Sequence, residues 1–481
     1  MVRKEVAMRE LGPFIAGSWW SGAPLRSVRS PYDGREVSRI GMGGSRELAV
    51  ALEAAAAARE PMASLPPHAR ATILDRASRA VTERSGELAE AVADEAGKPL
   101  ALARTEAERC AETFAEAARV ARRPEAELVD LGGFPSGEGR FGLLRRFPVG
   151  VVVGITPFNF PLNLVAHKLA PAIAAGCPIV LKPASQTPSP ALLLATILHD
   201  AGAPAGAVNV VPCAANEMGI LLDDVRVRLV TFTGSAEVGW GLKRRLWDRR
   251  VTLELGGNAA VVVEPDAGDL PTIARRIAVG AFAYAGQSCI SVQRVLVHES
   301  IAAGLRDALV EATASFPTGD PAAAEILCGP MISAGDADRI ESWVEEATRR
   351  GARLLTPLRR EGNIVRPVLL EDVPRDASLW ADEAFAPVAI LATYRSFEEA
   401  LDLVNDSRFG LQAGIFTANV ARIQQAFERL EVGGIIQGDI PSWRTDAMPY
   451  GGVKQSGIGR EGPRWAVEEM TEPRLLVLRR D

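Results

Sequence analysis

Cys289 lies in Ala285-Gly286-Gln287-Ser288-Cys289-Ile290-Ser291, a glycine-bearing turn that presents one thiol among small polar neighbours. Such a setting suits a nucleophile better than core filler, because reactivity needs access and nearby donors that stabilise the thiolate. Upstream, Leu253-Glu254-Leu255-Gly256-Gly257 puts a carboxylate at the end of an apolar strand. A thiol that adds to a carbonyl and a carboxylate that activates water are two parts of covalent aldehyde oxidation; the third is a bound hydride acceptor. A free thiol with a pKa of about 8.5 is only a few per cent ionised at neutral pH. The site must therefore favour the thiolate, through a helix end or a nearby cation such as Lys168.

Other motifs could complete this chemistry. Thr156-Pro157-Phe158-Asn159-Phe160-Pro161 fixes an asparagine between two rings and two prolines, a rigid donor of the kind an oxyanion requires. Taken alone, Asn159 suits a purely structural place in a turn at least as well. Phe232-Thr233-Gly234-Ser235-Ala236-Glu237-Val238-Gly239 follows an apolar run directly. Gly234 permits a tight turn there, and Ser235 with free N–H groups at a helix N-terminus can meet a pyrophosphate. A plain strand-to-helix turn explains the same residues. Lys182 in Lys182-Pro183-Ala184-Ser185 ends another buried run, at the sheet edge where nucleotides bind in open α/β folds; it fits either a ribose contact or a solvated strand end. The glycine-rich Gly41-Met42-Gly43-Gly44-Ser45 follows Val37–Ile40, which is too short and polar to read as a strand, so this loop reads as a connector.

These side chains need an α/β scaffold. Val149–Ile155, Cys177–Leu181, Val208–Val211, Val227–Phe232 and Val251–Leu255 are continuous apolar runs, the mark of parallel strands buried on both faces. Asn163–Ala175 and Pro190–Ala201 read as connecting helices. A second α/β set begins near Gly256, with Ala259–Val263 and Val292–Val297 as strands, a helix before Cys289 and another over Ile301–Ala314. The first 125 residues read as mainly helical. Ser45 caps a helix with Glu47 in its first turn, a second period runs from Pro66-Pro67 to Gly97, and a third starts after Pro99. Asp130–Arg146 reads as an extended hairpin, and Arg474–Leu478 as a short strand able to add to another subunit's sheet.

At 481 residues the chain is too long for one ordinary core, and 47% hydrophobic with 24% charged residues describes a globular protein. A formal net charge of −6 gives no reason to expect nucleic acid or an anionic membrane as partner. Between Phe147 and His167 no acidic or basic residue intervenes, which is long enough to suggest a membrane span. Pro157, Pro161, Asn159 and Asn163 in its middle argue instead for a strand, a turn and a helix start. The N-terminus shows no apolar run of an export signal, and the five scattered cysteines fit free thiols in a reducing cytoplasm. Cys177 and Cys213 sit in or beside apolar runs and read as core residues. With four histidines and no CxxC or HxH spacing, no metal site is expected.

The motifs at Thr156–Pro161, Lys182–Ala184, Phe232–Ser235, Glu254–Gly257, Gly286–Cys289 and Glu383–Pro387 occur in the order and at the spacing of the aldehyde dehydrogenase superfamily, which the chain resembles from about Phe14 to Leu478. The resemblance implies an α/β protein with a Rossmann-like NAD(P)-binding domain (residues 1–129 and 147–255) and an α/β catalytic domain (256–436). A bridging β-hairpin and C-terminal strand (130–146 and 437–481) would serve oligomerisation, as a homodimer or homotetramer. Cys289 would be the nucleophile, Glu254 the general base, Asn159 the oxyanion donor and Lys168 a supporting lysine. Ile155, Thr156, Pro157, Phe158, Lys182, Ser185, Gly234, Ser235, Gly239, Leu255, Glu383 and Phe385 would bind the cofactor, with Phe385 near the nicotinamide. The implied reaction is NAD(P)-dependent oxidation of a small aldehyde to its acid through a Cys289 thioester that water hydrolyses.

Three departures from the family pattern bear on specificity. Ser185 stands where many NAD-preferring members have glutamate, so NADP is admissible beside NAD. Ser288 stands where members acting on phosphorylated or phosphonate aldehydes often have arginine, which weakens the case for such a substrate. Asn258 replaces a common lysine, with no evident consequence. The stretch from Trp443 to Gly462 looks like members acting on lactaldehyde, glyceraldehyde 3-phosphate or phosphonoacetaldehyde. Arg109 and Arg444 are candidate anchors for a polar or anionic substrate, although most arginines are solvated or ion-paired. Two other readings remain: a CoA-acylating relative, against which Glu254 argues, and a non-catalytic binding protein on the same fold.

Overall fold

Five apolar runs assemble, as their composition predicts, into the centre of one sheet in the computed structural model, which describes residues 8–480. Residues 1–7 lie outside the described ones, and with them most of the N-terminal segment read for an export signal. Across this sheet the order is Arg250–Glu254, Val227–Thr233, Val151–Ile155, Ile179–Lys182 and Val208–Val210, every adjacent pair parallel. Short strands extend both edges: Gly457–Ile458 pairs antiparallel with Arg250–Glu254, and Phe14–Ile15 pairs antiparallel with Val208–Val210.

Side chains alternate across this sheet into two apolar layers. Val152, Ile179, Leu181 and Leu229 pack with helices Pro67–Glu83, Leu100–Ala121, Asn163–Ala175 and Ser189–Asp200. On the other face Val151, Val153, Val180 and Val230 pack with Leu48 and Leu52 of helix Ser45–Ser64. Every residue of Asn163–Ala175 is buried, which explains why that helix is apolar on every side except at Asn163, His167 and Lys168, each with a hydrogen-bond partner inside the protein.

A second, seven-stranded sheet is built from Ala259–Val263, Val292–His298, Val368–Glu371, Val388–Tyr394, Gln412–Phe416 and Gly434–Gln437, all parallel, with Arg353–Leu354 antiparallel at one edge. Its core is a separate cluster of buried residues. The strand before Glu254 belongs to the first sheet, and the chain crosses to the second within Leu255–Asn258.

Three local readings are corrected. The first 41 residues hold short strands rather than helix: Arg9–Leu11, Glu36–Gly41 and Leu25–Arg29 form a small sheet, so the polar run at Val37 is a strand after all. The helix at 45 is capped by Gly44, whose N–H donates to the Glu47 carboxylate at 2.8 Å, while the Ser45 hydroxyl donates to Glu217. The helical period after Pro66 is two helices, Pro67–Glu83 and Ser85–Ala96, broken at Arg84. The last strand, Thr471–Arg479, pairs antiparallel with Arg140–Pro148, which also pairs with Ala126–Asp130, and its outer edge pairs with no strand among the described residues.

Candidate active site

The two sheets enclose a cleft of about 900 Å³ whose walls include Cys289, Glu254, Asn159, Arg109 and Arg444. The nucleophile loop starts where helix Leu270–Phe282 ends and passes through three successive left-handed residues, Tyr284 (φ 52°), Ala285 (φ 54°) and Gly286 (φ 65°). Non-glycine residues in that region store strain, a recurrent feature of functional turns. A Cβ on Gly286 would stand 2.2 Å from the Ala386 carbonyl oxygen, so the loop can press against its neighbour only as glycine. Gln287 locks it further, donating to the Tyr284 and Pro330 carbonyls and accepting from the Ile332 N–H at 2.8 Å.

Cys289 is half-buried, whereas the other four cysteines are buried and none is disulfide-bonded. Its Sγ lies 2.8 Å from the Tyr450 hydroxyl. Burial pushes the thiol up to about 12, against the pull of the Tyr450 hydrogen bond and the Arg444 charge, with the nearby Glu383 and Glu254 carboxylates adding to the rise. Lys168 was the cation expected beside this thiol; the structure gives that place to Arg444. The helix end does not help either, since it is the C-terminal end of Leu270–Phe282 that leads toward Cys289, and that end disfavours an anion.

Asn159 is buried and its Nδ2 donates to the Gln287 carbonyl at 3.0 Å, tying the Thr156–Pro161 turn to the nucleophile loop. An amide nitrogen carries two hydrogens, so one remains for an oxyanion. The same turn is held from behind by Glu106, which accepts from the Leu162 and Asn163 N–H groups and ion-pairs with the buried Lys98. Glu254 is buried with both carboxylate oxygens free of hydrogen bonds. Burial raises its pKa well above the ordinary carboxylate value and the Glu461 charge adds to the rise, while Arg444, Lys168 and Arg460 oppose it.

Behind Glu254 lies a buried charged wall. Lys168, outside the cleft lining, donates to the Thr231 and Thr233 hydroxyls and stands 3.9 Å from Glu461. Arg444 donates to Glu461 at 3.1 Å, lies 3.0 Å from His167 Nε2 and stacks on the Tyr450 ring at 3.9 Å. Asp446 lies 2.8 Å from His167 Nε2 and accepts from Arg109 at 2.9 Å; the His167 hydrogen bond and the Arg109 and Arg444 charges hold its carboxyl well below the usual range despite burial. Both arginines are thus ion-paired, and both still line the cleft.

The mouth of the cleft is built differently. Ser235 precedes helix Ala236–Arg245 with a side chain that caps nothing, and Gly234 is required because a Cβ there would lie 2.5 Å from the Phe232 ring. Gly239 lets that helix approach Leu255, whose methyl would lie 2.4 Å from an added Cβ. Glu383 accepts from the Gly257 N–H at 3.0 Å, and burial raises its carboxyl to about 7. Phe158 and Phe385 meet edge-to-face at 5.9 Å, with Phe385 at φ 47°. Lys182 is buried beside Ile155, its register partner, and Thr156; its Nζ reaches only the adjacent Pro183 carbonyl at 3.2 Å. The Thr156 hydroxyl is buried without a partner, and Ser185 is half-buried. An orphaned hydroxyl, an under-used lysine and an uncommitted helix start on neighbouring strand ends are what a dinucleotide needs, so these residues fit NAD(P).

Pro157, Phe158, Gly234, Ser235, Leu255, Glu383 and Phe385 line the cleft, while Ile155, Thr156, Lys182, Ser185 and Gly239 lie outside its lining. Sequence reasoning missed Tyr450, Glu461, His167 and Asp446. Tyr450 and Glu461 stand in the C-terminal stretch already marked by its glycines, but nothing local ties them to residues 161 or more positions away. Among the described residues no group of histidine, cysteine and carboxylate side chains could hold a metal ion, and no helix is long and apolar enough to cross a membrane.

Comparison with known proteins points to one family. The model of the aldehyde dehydrogenase family matches residues 19–476. A 3-sulfolactaldehyde dehydrogenase of Priestia aryabhattai is 40% identical over 472 residues, 98% of each chain. Among solved structures, aldehyde dehydrogenase 21 from Physcomitrella patens, in complex with the reaction product succinate, superposes with a TM-score of 0.97 at 39% identity, covering 98% of this chain and 99% of that one. The glyceraldehyde-3-phosphate dehydrogenase GapN of Methanocaldococcus jannaschii, complexed with NADP, gives 0.91 at 36% identity over 96% and 100% of the two chains.

Proposed function

The chain belongs to the aldehyde dehydrogenase family and oxidises small aldehydes with a nicotinamide cofactor; on that premise we propose how its residues divide the work. Cys289 adds to the aldehyde carbon, forming a carbon–sulfur bond. The oxyanion so created accepts from the free N–H of Asn159 Nδ2 and from the Cys289 backbone N–H, which no hydrogen bond within the described residues uses. NAD(P), when held by the residues at the mouth of the cleft, would supply the hydride acceptor needed for the Cys289 adduct to become a thioester. Glu254 then takes a proton from an attacking water, the carbon–sulfur bond breaks, the acid leaves and the thiolate returns. Lys168 and Glu461, 3.9 Å apart behind Glu254, act on its pKa with opposite sign, the glutamate charge raising it and the lysine charge lowering it.

Lys182, Thr156 and Ser235 hold the cofactor, with Glu383 and Phe385 at its nicotinamide end, in a unit spanning residues 1–129 and 147–255. Residues 256–436 carry the nucleophile. Ser185 leaves the ribose 2′ position without a repelling carboxylate, which admits NADP as well as NAD. The hairpin at 130–146 and the tail at 437–481 join subunits into a dimer or tetramer. Leu475, Leu476 and Val477, exposed on the last strand beside exposed Leu128 and Leu143, support that reading. Five unpaired cysteines support a cytoplasmic setting.

The substrate is a small aldehyde with a second, anionic group. The observation that carries this is the placement of Arg109 and Arg444 on the wall of the same cleft as Cys289. Relatives named for a sulfonated aldehyde and bound to a dicarboxylate product agree in charge. A steady-state screen of 3-sulfolactaldehyde, succinate semialdehyde, glyceraldehyde 3-phosphate, lactaldehyde and a neutral aliphatic aldehyde, each with NAD and NADP, tests it. An anionic aldehyde is expected to give the highest kcat/KM. A neutral aldehyde of matching length used equally well would contradict the assignment.

A further inference from the structure

Tyr450 is a buried phenol whose hydroxyl has one hydrogen-bond partner, the Cys289 sulfur at 2.8 Å. A buried hydroxyl that loses its partner is costly, so this contact is a fixed part of the site and not an incidental approach. The backbone holds the ring there. Tyr450 N–H donates to the Glu461 carbonyl at 3.0 Å and Glu461 N–H returns to the Tyr450 carbonyl at 2.6 Å. Arg444 stacks on the ring at 3.9 Å, and Ile290 and Leu411 pack around it beside Cys289. The charged groups facing the thiol are Arg444, which favours a thiolate, and Glu254 and Glu383, which oppose one. Lys168 is engaged with two threonine hydroxyls and Glu461, and the nearest helix in sequence leads toward Cys289 with its C-terminal end.

We propose that Tyr450 is the group that stabilises the nucleophile in its reactive form: its hydroxyl keeps its own proton and donates a hydrogen bond to the Cys289 thiolate, with Arg444 fixing the ring. The same contact holds the sulfur in one rotamer before substrate arrives. When Cys289 becomes a thioester the sulfur ceases to be a strong acceptor, so the phenol's stabilisation returns only when the thiolate leaves the acyl carbon. Tyr450 therefore favours sulfur both as attacking and as leaving group. The proposal rests on Cys289 being the nucleophile.

The test is the pH dependence of Cys289 alkylation by iodoacetamide in the free enzyme, followed by mass analysis of the peptide that contains it. A hydrogen bond to a charged acceptor is worth about one to two pH units of thiol acidity. Tyr450→Phe is expected to move the alkylation midpoint up by that amount, to slow alkylation at neutral pH about 10- to 100-fold, and to move the kcat/KM profile the same way without changing cofactor Kd. Tyr450→His keeps a ring donor and returns the midpoint toward wild type; Tyr450→Leu, which also lacks the hydroxyl, is expected to move the midpoint as the phenylalanine variant does and takes its place should that variant not fold. A midpoint unmoved in Tyr450→Phe, or moved as far in Tyr450→His, would overturn the proposal. The alkylation midpoint reads Tyr450 whether or not Cys289 carries turnover. Conversely, Cys289→Ala reads the nucleophile whether or not Tyr450 acts, so the two failures are distinct.

Discussion

The mouth and the inner wall of the cleft solve opposite problems. The mouth is made of turns that follow buried strands, where glycines allow close approach and Ser235, Lys182 and Thr156 are left with spare hydrogen-bonding capacity. The inner wall is made of buried charges that are already paired: Arg444 with Glu461, Asp446 with Arg109 and His167, Lys168 near Glu461. A site that receives a whole dinucleotide needs open donors. A site that runs proton chemistry out of water needs its charges matched beforehand, because an unpaired buried charge costs several kcal/mol. Substitutions in the wall should therefore change rates and pH profiles, and those at the mouth should change cofactor affinity.

The largest expected effect is at the sulfur. Cys289→Ala removes the covalent route and should lower kcat by about 10⁴-fold or more, read as NAD(P)H formation. Oxidation at a comparable rate would break the contrast at its root. Next is Glu254→Gln, which keeps the shape of the base and should lower steady-state kcat by about 10²- to 10⁴-fold while leaving cofactor Kd as it was. Arg444→Gln should raise KM for an anionic aldehyde about 100-fold and leave a neutral aldehyde less affected; a uniform loss on both would mean the arginine acts on Cys289 and Tyr450 and not on the substrate's second charge.

A smaller effect sharpens the electrostatics. The Glu461 charge adds to the rise of Glu254's pKa, so Glu461→Gln should lower that pKa. Deacylation needs Glu254 ionised and rises with pH through it, so the acidic limb of the kcat profile should move to lower pH, by about one unit. A limb that stays or moves upward would detach Glu461 from the base. The smallest effect belongs to the mouth. Ser185→Glu should weaken NADP relative to NAD about tenfold in KM ratio, with kcat for NAD unchanged.

The same division separates what could be read in the chain from what could not. Val151–Ile155, Asn163–Ala175 and Ala259–Val263 were legible to within a residue or two, because buried elements are predominantly apolar, even where Asn163–Ala175 carries His167 and Lys168 inward. The motifs of the mouth were legible for a related reason: a strand end, a glycine and a helix start are neighbours in sequence. Two- and three-residue strands such as Arg9–Leu11 carry too little periodicity to stand out, and the break at Arg84 is marked only by Ser85-Gly86, which fall inside the next helix and leave the apolar period running across them. The inner wall was illegible because its pairs are remote. Arg109 meets Asp446 across 337 positions, His167 meets the same carboxylate across 279, and Tyr450 reaches Cys289 across 161. The last strand was legible as a strand, and it pairs first with this chain's own hairpin while its outer edge stays unpaired among the described residues.

The hydrolytic scheme stands or falls on one species. Glu254→Gln enzyme mixed with an accepted aldehyde and NAD(P) should release one burst of reduced cofactor and then stall, and mass analysis should find the acyl group on the peptide that contains Cys289. Steady formation of acid with no acyl group on Cys289, or an acyl group on another residue, would contradict the assignment of nucleophile and base.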